Sequence, residues 1–338
     1  MTTMPTPRTP DPMAAPALRW GVMGTGWIAR KFADAIHERT NQRVHAVGSR
    51  STESAQRFAA AVGAPTAHGS YEALVADPEV DIVYVATPHN HHLPNALLAI
   101  EAGKHVLVEK PLALTADEGR RMAAAAEAGG VFCMEALWTL FLPRLDVVAQ
   151  LLADGAIGRV DTVLADFGQF FDPDNRIFRA DLAGGPLWDL MTYPLTLAMW
   201  ALGEPFTTVH ATGSPAPNGI NGQVGVLART DSGRVAALHS TVLGETPTTG
   251  TIAGAEGHIV LERPFYTPGA VTLTRRTGEV LTYDEPRIEH VGLHWQAAET
   301  ARRIAAGETG SPIRPLADSI AMLEIFDQIR EQVGIPLP

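Results

Sequence analysis

Residues 106–111, Val-Leu-Val-Glu109-Lys110-Pro111, pair an apolar, β-branched run with an abrupt polar end: a carboxylate, an amine and a proline. The run predicts a buried parallel strand. Ligands of open α/β sheets bind beyond the carboxyl ends of the strands, so an amine there is placed for chemistry rather than for packing. Pro111 fixes the backbone just beyond Lys110 and so aims the amine, a cis bond being one way of doing it. The competing reading is a surface Lys–Glu pair. A second constellation is Gly24-Thr25-Gly26-Trp27-Ile28-Ala29, which follows an apolar stretch at 18–23 and precedes helical spacing in Ile28, Phe32, Ala35 and Ile36. Gly24 permits a tight turn, and Gly26 lets backbone approach a pyrophosphate at the helix N-terminus, where unpaired N–H groups face the anion. Ala29 in place of a third glycine still allows close helix–strand packing. A third is Asp189 and Tyr193, four apart in a stretch that reads as one helix after Gly184-Gly185, so that both project from one face.

The elements that position these residues alternate regularly. Strands are legible at 18–23, 43–47, 81–86, 106–111 and 131–134 with helices between them, five of the six strands expected over 18–139 for one dinucleotide-binding domain. The second strand runs into Gly48-Ser49-Arg50, where an NAD enzyme would carry an acid for the ribose 2′-hydroxyl. A hydroxyl and a guanidinium suit a 2′-phosphate instead, which favours NADP; Arg50 stacked on the adenine would leave NAD acceptable too. The strand at 81–86 ends in Thr87-Pro88-His89-Asn90-His91-His92. No Cys or carboxylate cluster follows at ligand spacing, so no metal is expected there. Thr87 and Pro88 are read as a wall of the cofactor site, with His89 or His92 hydrogen-bonding near its ribose.

From residue 160 the pattern changes to strands joined by turns, at 160–170, 208–213, 223–230, 234–242, 249–253, 258–261, 271–275 and 279–283, with a hairpin signal in Asp231-Ser232-Gly233. Consecutive strands without helices between them imply a large, open, mainly antiparallel sheet in a second, α+β domain over 140–338, whose last helix is a candidate to pack back on the first domain. Helical periodicity returns at 290–306 and 316–333. A broad sheet with helices on one face leaves the other bare, and the apolar residues near Val224-Gly225-Val226-Leu227 and Val235-Ala236-Ala237-Leu238 exceed what a wet face needs. A homodimer, or a dimer of dimers, through that face is expected. Residues 1–17, with five prolines, read as a disordered arm.

A net charge of −11 argues against nucleic acid or an anionic membrane as partner. No run approaches the ~18 apolar residues of a membrane span, and the arm lacks the apolar core of a secretory signal. One cysteine, Cys133, excludes an intramolecular disulfide and leaves the cytoplasm as the default compartment.

Taken together, Gly24-x-Gly26-x-x-Ala29, Glu109-Lys110-Pro111 and Gly184-Gly185-x-x-x-Asp189-x-x-x-Tyr193, with a similar tail from Ser311-Pro312 to Gly334, resemble the glucose–fructose oxidoreductase / inositol dehydrogenase / MocA-type family over residues 18–338. Met134-Glu135-Ala-Leu-Trp138-Thr139 and Asp189-x-x-x-Tyr193 are most similar to its dimeric dihydrodiol dehydrogenase and sugar dehydrogenase branch. Leu140, where that branch often has a basic residue, and Pro186, in place of a third small residue, depart from the pattern.

The resemblance implies an NADP(H)-preferring oxidoreductase acting on a sugar, cyclic polyol or diol, with Lys110 and Tyr193 as the pair that moves the hydroxyl proton. The chemistry is consistent: a tyrosine of ordinary pKa ~10 is a poor base, and a nearby ammonium favours its phenolate. Asp189 would orient the substrate or the pair. Glu109 would hold a ribose hydroxyl or position Lys110, and Trp138 would help wall the nicotinamide. An alternative makes Lys110 itself the acid–base group and Tyr193 a substrate-binding hydroxyl. Three rival functions stay open: hydride shuttling between two sugars on a tightly held NADP, a nucleotide- or sugar-sensing regulator without turnover, and redox-assisted glycoside cleavage.

Overall fold

The computed structural model describes residues 3–338, so residues 1 and 2 of the expected arm lie outside the described residues. Two compact units make up the chain. The first, residues 10–141 and 289–320, is built on β1 (Arg19–Met23), β2 (Arg43–Gly48), β3 (Thr66–His68), β4 (Ile82–Val85), β5 (His105–Glu109) and β6 (Cys133–Ala136). They form a parallel sheet in the order β3-β2-β1-β4-β5-β6, crossed by α1 (Trp27–Arg39), α2 (Thr52–Val62), α3 (Tyr71–Val75), α4 (His92–Glu101) and α5 (Ala116–Gly129). The reversal of strand order between β1 and β4 is the switch point at which such sheets bind ligands. Ser51 and Thr115 start α2 and α5 by accepting the amides of Ser54 and Glu118. The interior is aromatic: Phe32 of α1 stacks on Tyr84 of β4 at 3.9 Å and meets Trp20 of β1 edge-on at 5.1 Å. Cys133 is buried here, and burial pushes its thiol up to about 12, so it serves packing.

Residues 289–320 belong to this unit, so 140–338 is not one body. They carry α9 (Leu293–Ala305), which packs on α1, and the first residues of α10 (Leu316–Val333). The disordered arm is a second correction, for residues 3–17. Asn41 and Gln42 donate side-chain amides to the carbonyls of Met13 and Pro16, and Arg302 donates to those of Pro10 and Asp11. Its prolines leave little backbone freedom to lose on docking, and carbonyls unpaired in any sheet remain available to side-chain donors.

The second unit comprises residues 3–9, 142–288 and 321–338. Its sheet contains β7 (Val160–Gly168), β8 (Phe206–Pro215), β9 (Asn221–Thr230), β10 (Val235–Thr241), β11 (Gly250–Gly254), β12 (Gly257–Leu261), β13 (Ala270–Arg275) and β14 (Val280–Asp284). The order is β14-β13-β12-β11-β7-β10-β9-β8, antiparallel throughout except for the β7–β10 pair. Its helices are α6 (Pro143–Ala153), α7 (Pro186–Asp189) and α8 (Thr192–Leu202). The apolar α8 packs on β7, β10 and β11 and α7 packs on β9 and β10, and the alternate residues Val224 and Val226 of β9 and Ala236 and Leu238 of β10 are buried. The other face is bare: Leu164 and Leu227, 48% and 52% exposed, border a shallow depression of about 700 Å³ with Asp166, His210, Ala237 and His239. Gln332 closes the β8 edge by bonding the amide of Ala211 and the carbonyl of Val209. Among the described residues no helix is long and apolar enough to cross a membrane.

Candidate active site

At the carboxyl edge of the parallel sheet, Gly24 has φ +107°, and a Cβ there would stand 2.7 Å from the carbonyl oxygen of Ala86. Only glycine fits this turn. Gly26, the N-cap of α1, is extended and exposed, and a Cβ built on it would meet nothing within 4 Å. The first amides of α1 therefore open onto clear space, the cradle a pyrophosphate needs. Thr25 and Ile28 are half-buried, while Trp27 is 62% exposed with the Lys31 ammonium 5.6 Å from its ring. After β2, Ser49 is buried and its hydroxyl accepts from the amide of Ser51, leaving Arg50 exposed at the edge where a ribose substituent would lie. The residues present thus fit a dinucleotide.

Beyond β4, the Thr87 hydroxyl accepts from Asn95 at 3.0 Å, and Pro88 is half-buried next to it. His89 is buried, 5.6 Å edge-on from His92. The expectation that His92 reaches a ribose is corrected. Its ring is fully buried, with Nδ1 2.8 Å from the carbonyl of Pro111 and Nε2 3.0 Å from that of Thr87, so both nitrogens face backbone carbonyls.

β5 delivers Glu109 and Lys110 to the same edge. The Glu109 carboxyl is buried and accepts from the Tyr84 phenol and the Lys110 amide. Burial pushes it up to about 7 against the bonding that favours its charge. Lys110 is half-buried and joined to Pro111 by a cis bond. Trp138 is buried in the turn after β6, the turn on which α9 packs. Sequence reasoning missed a buried network here. Glu135, fully enclosed, accepts from Arg314 Nε and Nη2 at 2.8 and 2.6 Å, from the Ser319 hydroxyl at 2.7 Å and from the Leu112 amide at 2.8 Å. An acid inside an apolar strand signals a cation brought from elsewhere, but not which one.

Asp189 and Tyr193 lie in the second unit. They do not share one helix: α7 ends at Asp189 and α8 begins at Thr192. Pro194 has no N–H to give the Leu190 carbonyl, which accepts from the Tyr193 amide at 3.1 Å instead, and the helix resets. Gly184 and Gly185 press the preceding loop close, their amides donating to the carbonyls of Arg179 and Ile177. That loop carries Arg176, which clasps the buried Asp189 carboxylate through Nη1 and Nη2 at 3.2 and 3.0 Å. Tyr193 is buried, its ring stacked 4.4 Å from Tyr266, which stacks in turn on Phe167.

The loop bearing Tyr266 is held by Arg144, whose Nη2 donates to the carbonyls of Pro264 and Phe265 while its amide donates to Glu285 at 2.7 Å. Burial pushes Glu285 up to about 7 from 4.5. Between those values the unfolded chain releases a proton the folded one keeps, so stability falls as pH rises. Glu285→Gln cannot ionise and keeps an acceptor for Arg144. Its stability advantage over the parent is expected to grow by about 3 kcal/mol between pH ~4.5 and ~8, read by thermal denaturation.

Residues 18–137 match the family described as "Oxidoreductase family, NAD-binding Rossmann fold", and 146–260 match "GFO/IDH/MocA C-terminal domain". The chain is 35% identical to trans-1,2-dihydrobenzene-1,2-diol dehydrogenase of Danio rerio over 94% of this chain and 98% of that protein. It is 33% identical to D-xylose 1-dehydrogenase (NADP(+)) of Hypocrea jecorina, over 95% and 93%. Among solved structures, aldose-aldose oxidoreductase from Caulobacter crescentus, complexed with glycerol, is similar with a TM-score of 0.85 and 25% identity, over 94% of this chain and 98% of that one.

Proposed function

The chain belongs to the glucose–fructose oxidoreductase / inositol dehydrogenase / MocA-type family of NAD(P)-dependent oxidoreductases, and from that premise we propose that it moves hydride between NADP(H) and the carbinol or carbonyl carbon of a sugar, cyclic polyol or diol in the cytoplasm. One observation carries the reading: adjacent strands β1, β4 and β5 bring the Gly24–Gly26 cradle, the Thr87 wall and Lys110 to one edge of one sheet. The bound nicotinamide supplies the hydride donor or acceptor. Lys110 and Tyr193 act as the acid–base pair on the substrate oxygen, with Lys110 favouring the phenolate of Tyr193. Asp189, oriented by Arg176, aligns the substrate. Ser49 and Arg50, with no acid at the end of β2, support NADP over NAD, and the xylose dehydrogenase relative is NADP-dependent by name.

The test is nicotinamide absorbance of the purified protein with aldoses, inositols and cyclic diols, NADP and NAD being supplied separately. Turnover with added NADP supports a dehydrogenase with a dissociable cofactor. The likeness to an aldose-aldose oxidoreductase favours a second reading, in which retained cofactor is reduced by one sugar and reoxidised by another without added nucleotide. A spectrum that no sugar or diol changes would leave the regulatory reading.

The bare face of the large sheet supports a homodimer, or a dimer of dimers, through Leu164 and Leu227. Leu227→Glu sets a carboxylate in that apolar patch and is expected to halve the mass seen by sedimentation without lowering the melting temperature; a parent that already sediments as a monomer overturns the assignment.

A further inference from the structure

The peptide unit that follows Lys110–Pro111 is gripped on both edges by buried side chains. Its carbonyl, of Pro111, faces Nδ1 of His92 at 2.8 Å. Its amide, of Leu112, donates to Glu135 at 2.8 Å. The two grips come from the two strands that flank β5: His92 opens α4 just beyond β4, and Glu135 lies in β6. Both side chains are fully enclosed, and Glu135 is fixed in turn by Arg314 and Ser319. The Pro111 ring fixes its φ, so ψ of Pro111 is the torsion by which this turn would tilt, and the two bonds hold that plane.

We propose that His92 and Glu135 are positioning residues, a clamp on the Pro111–Leu112 peptide that sets the direction of Lys110 and requires the imidazole proton on Nδ1. The inference rests on the reading of Lys110 as part of the acid–base pair. Both ring nitrogens of His92 face carbonyl oxygens, yet a neutral imidazole has one N–H to give. Burial pushes His92 down to about 4, so near neutral pH the ring must choose between Pro111 and Thr87. A proton on Nδ1 binds the peptide whose far edge meets the Glu135 carboxylate, and that charge polarises the peptide toward accepting it. The Thr87 carbonyl then faces a lone pair, and the tie to the cofactor wall is the weaker of the two.

Two substitutions in the full-length protein separate the nitrogens: the amide of His92→Asn places a donor near Nδ1, and that of His92→Gln places one near Nε2. His92→Asn is expected to keep kcat within about 3-fold of the parent, and His92→Gln to lower it about 30-fold with the KM for NADP held, the scale of a misplacement of about 1 Å. A second readout needs no turnover. With ¹⁵N-labelled histidine near pH 7, the ring resonance lost in His92→Asn should be that of an Nδ1–H tautomer. Equal kinetic losses in His92→Asn and His92→Gln that track melting temperature overturn the clamp, and so does a neutral ring protonated on Nε2. A parent that turns over no sugar or diol defeats the reading of Lys110 instead, and the tautomer still decides whether the clamp exists.

Discussion

Lys110→Ala is expected to lower kcat by about 10³-fold while leaving NADP affinity within a few-fold, because in the proposed acid–base pair the ammonium acts on charge that develops at the substrate oxygen rather than on the bound nucleotide. The surroundings of Lys110 make the change interpretable. Its backbone turn is tied down through Pro111 and Leu112, so truncating the side chain leaves the edge of β5 in place. The neighbouring Glu109 carboxyl, held near 7 with Lys110 as one of the charges that lower it, will rise further when the ammonium is gone and stay protonated near neutral pH. An unpaired buried carboxylate is thus avoided, and the variant should fold. Single-turnover measurement of the nicotinamide signal separates the steps: hydride transfer slows while the binding phase does not. A raised KM for NADP with kcat unchanged would make Lys110 a nucleotide-binding lysine and remove it from the proton pathway. Lys110→Arg tests aim as well as charge, because a planar guanidinium cannot occupy the position of a compact ammonium; most of the loss should remain.

What was legible in the chain was what local periodicity and turn chemistry determine. The buried runs of β1, β4 and β5 and the alternating strands of the large sheet follow from patterns over a few residues, as does the glycine cradle, whose Gly24 meets the Ala86 carbonyl as a tight βα turn requires. The short edge strand β3 carries only three residues, too few for a period. The continuous helix expected through Asp189 and Tyr193 failed at Pro194, a residue whose missing N–H announces the break once it is weighed. Long-range pairing was not legible. Glu135 and Arg314 are 179 positions apart, and nothing local to either names the other. The neighbours of His92 in sequence place it in a histidine-rich loop and reach one of its partners, Thr87, whereas the other, the Pro111 carbonyl, is set by the next strand of the sheet. The arm misled for a related reason: proline content describes what a segment does alone, and the acceptors for Gln42, Asn41 and Arg302 become relevant only after the rest has folded.

Tyr193→Phe is expected to lower kcat by about 10²–10³-fold with little change in melting temperature, the range general acid–base groups contribute. The aromatic column makes this a clean removal: phenylalanine keeps the ring that stacks on Tyr266 at 4.4 Å and approaches Phe167 at 5.9 Å, so only the hydroxyl is lost. The two assignments of the pair then diverge. If the phenol moves the proton, kcat falls with the substrate KM nearly unchanged, and the pH profile of kcat loses the limb that belongs to the phenol. If Lys110 moves it and Tyr193 only binds substrate, KM rises, kcat falls little and the limb stays. The double variant supplies an independent check. Groups that act as a unit are non-additive, so Lys110→Ala with Tyr193→Phe should be barely slower than Lys110→Ala alone, whereas independent binding and proton-transfer roles would multiply the losses.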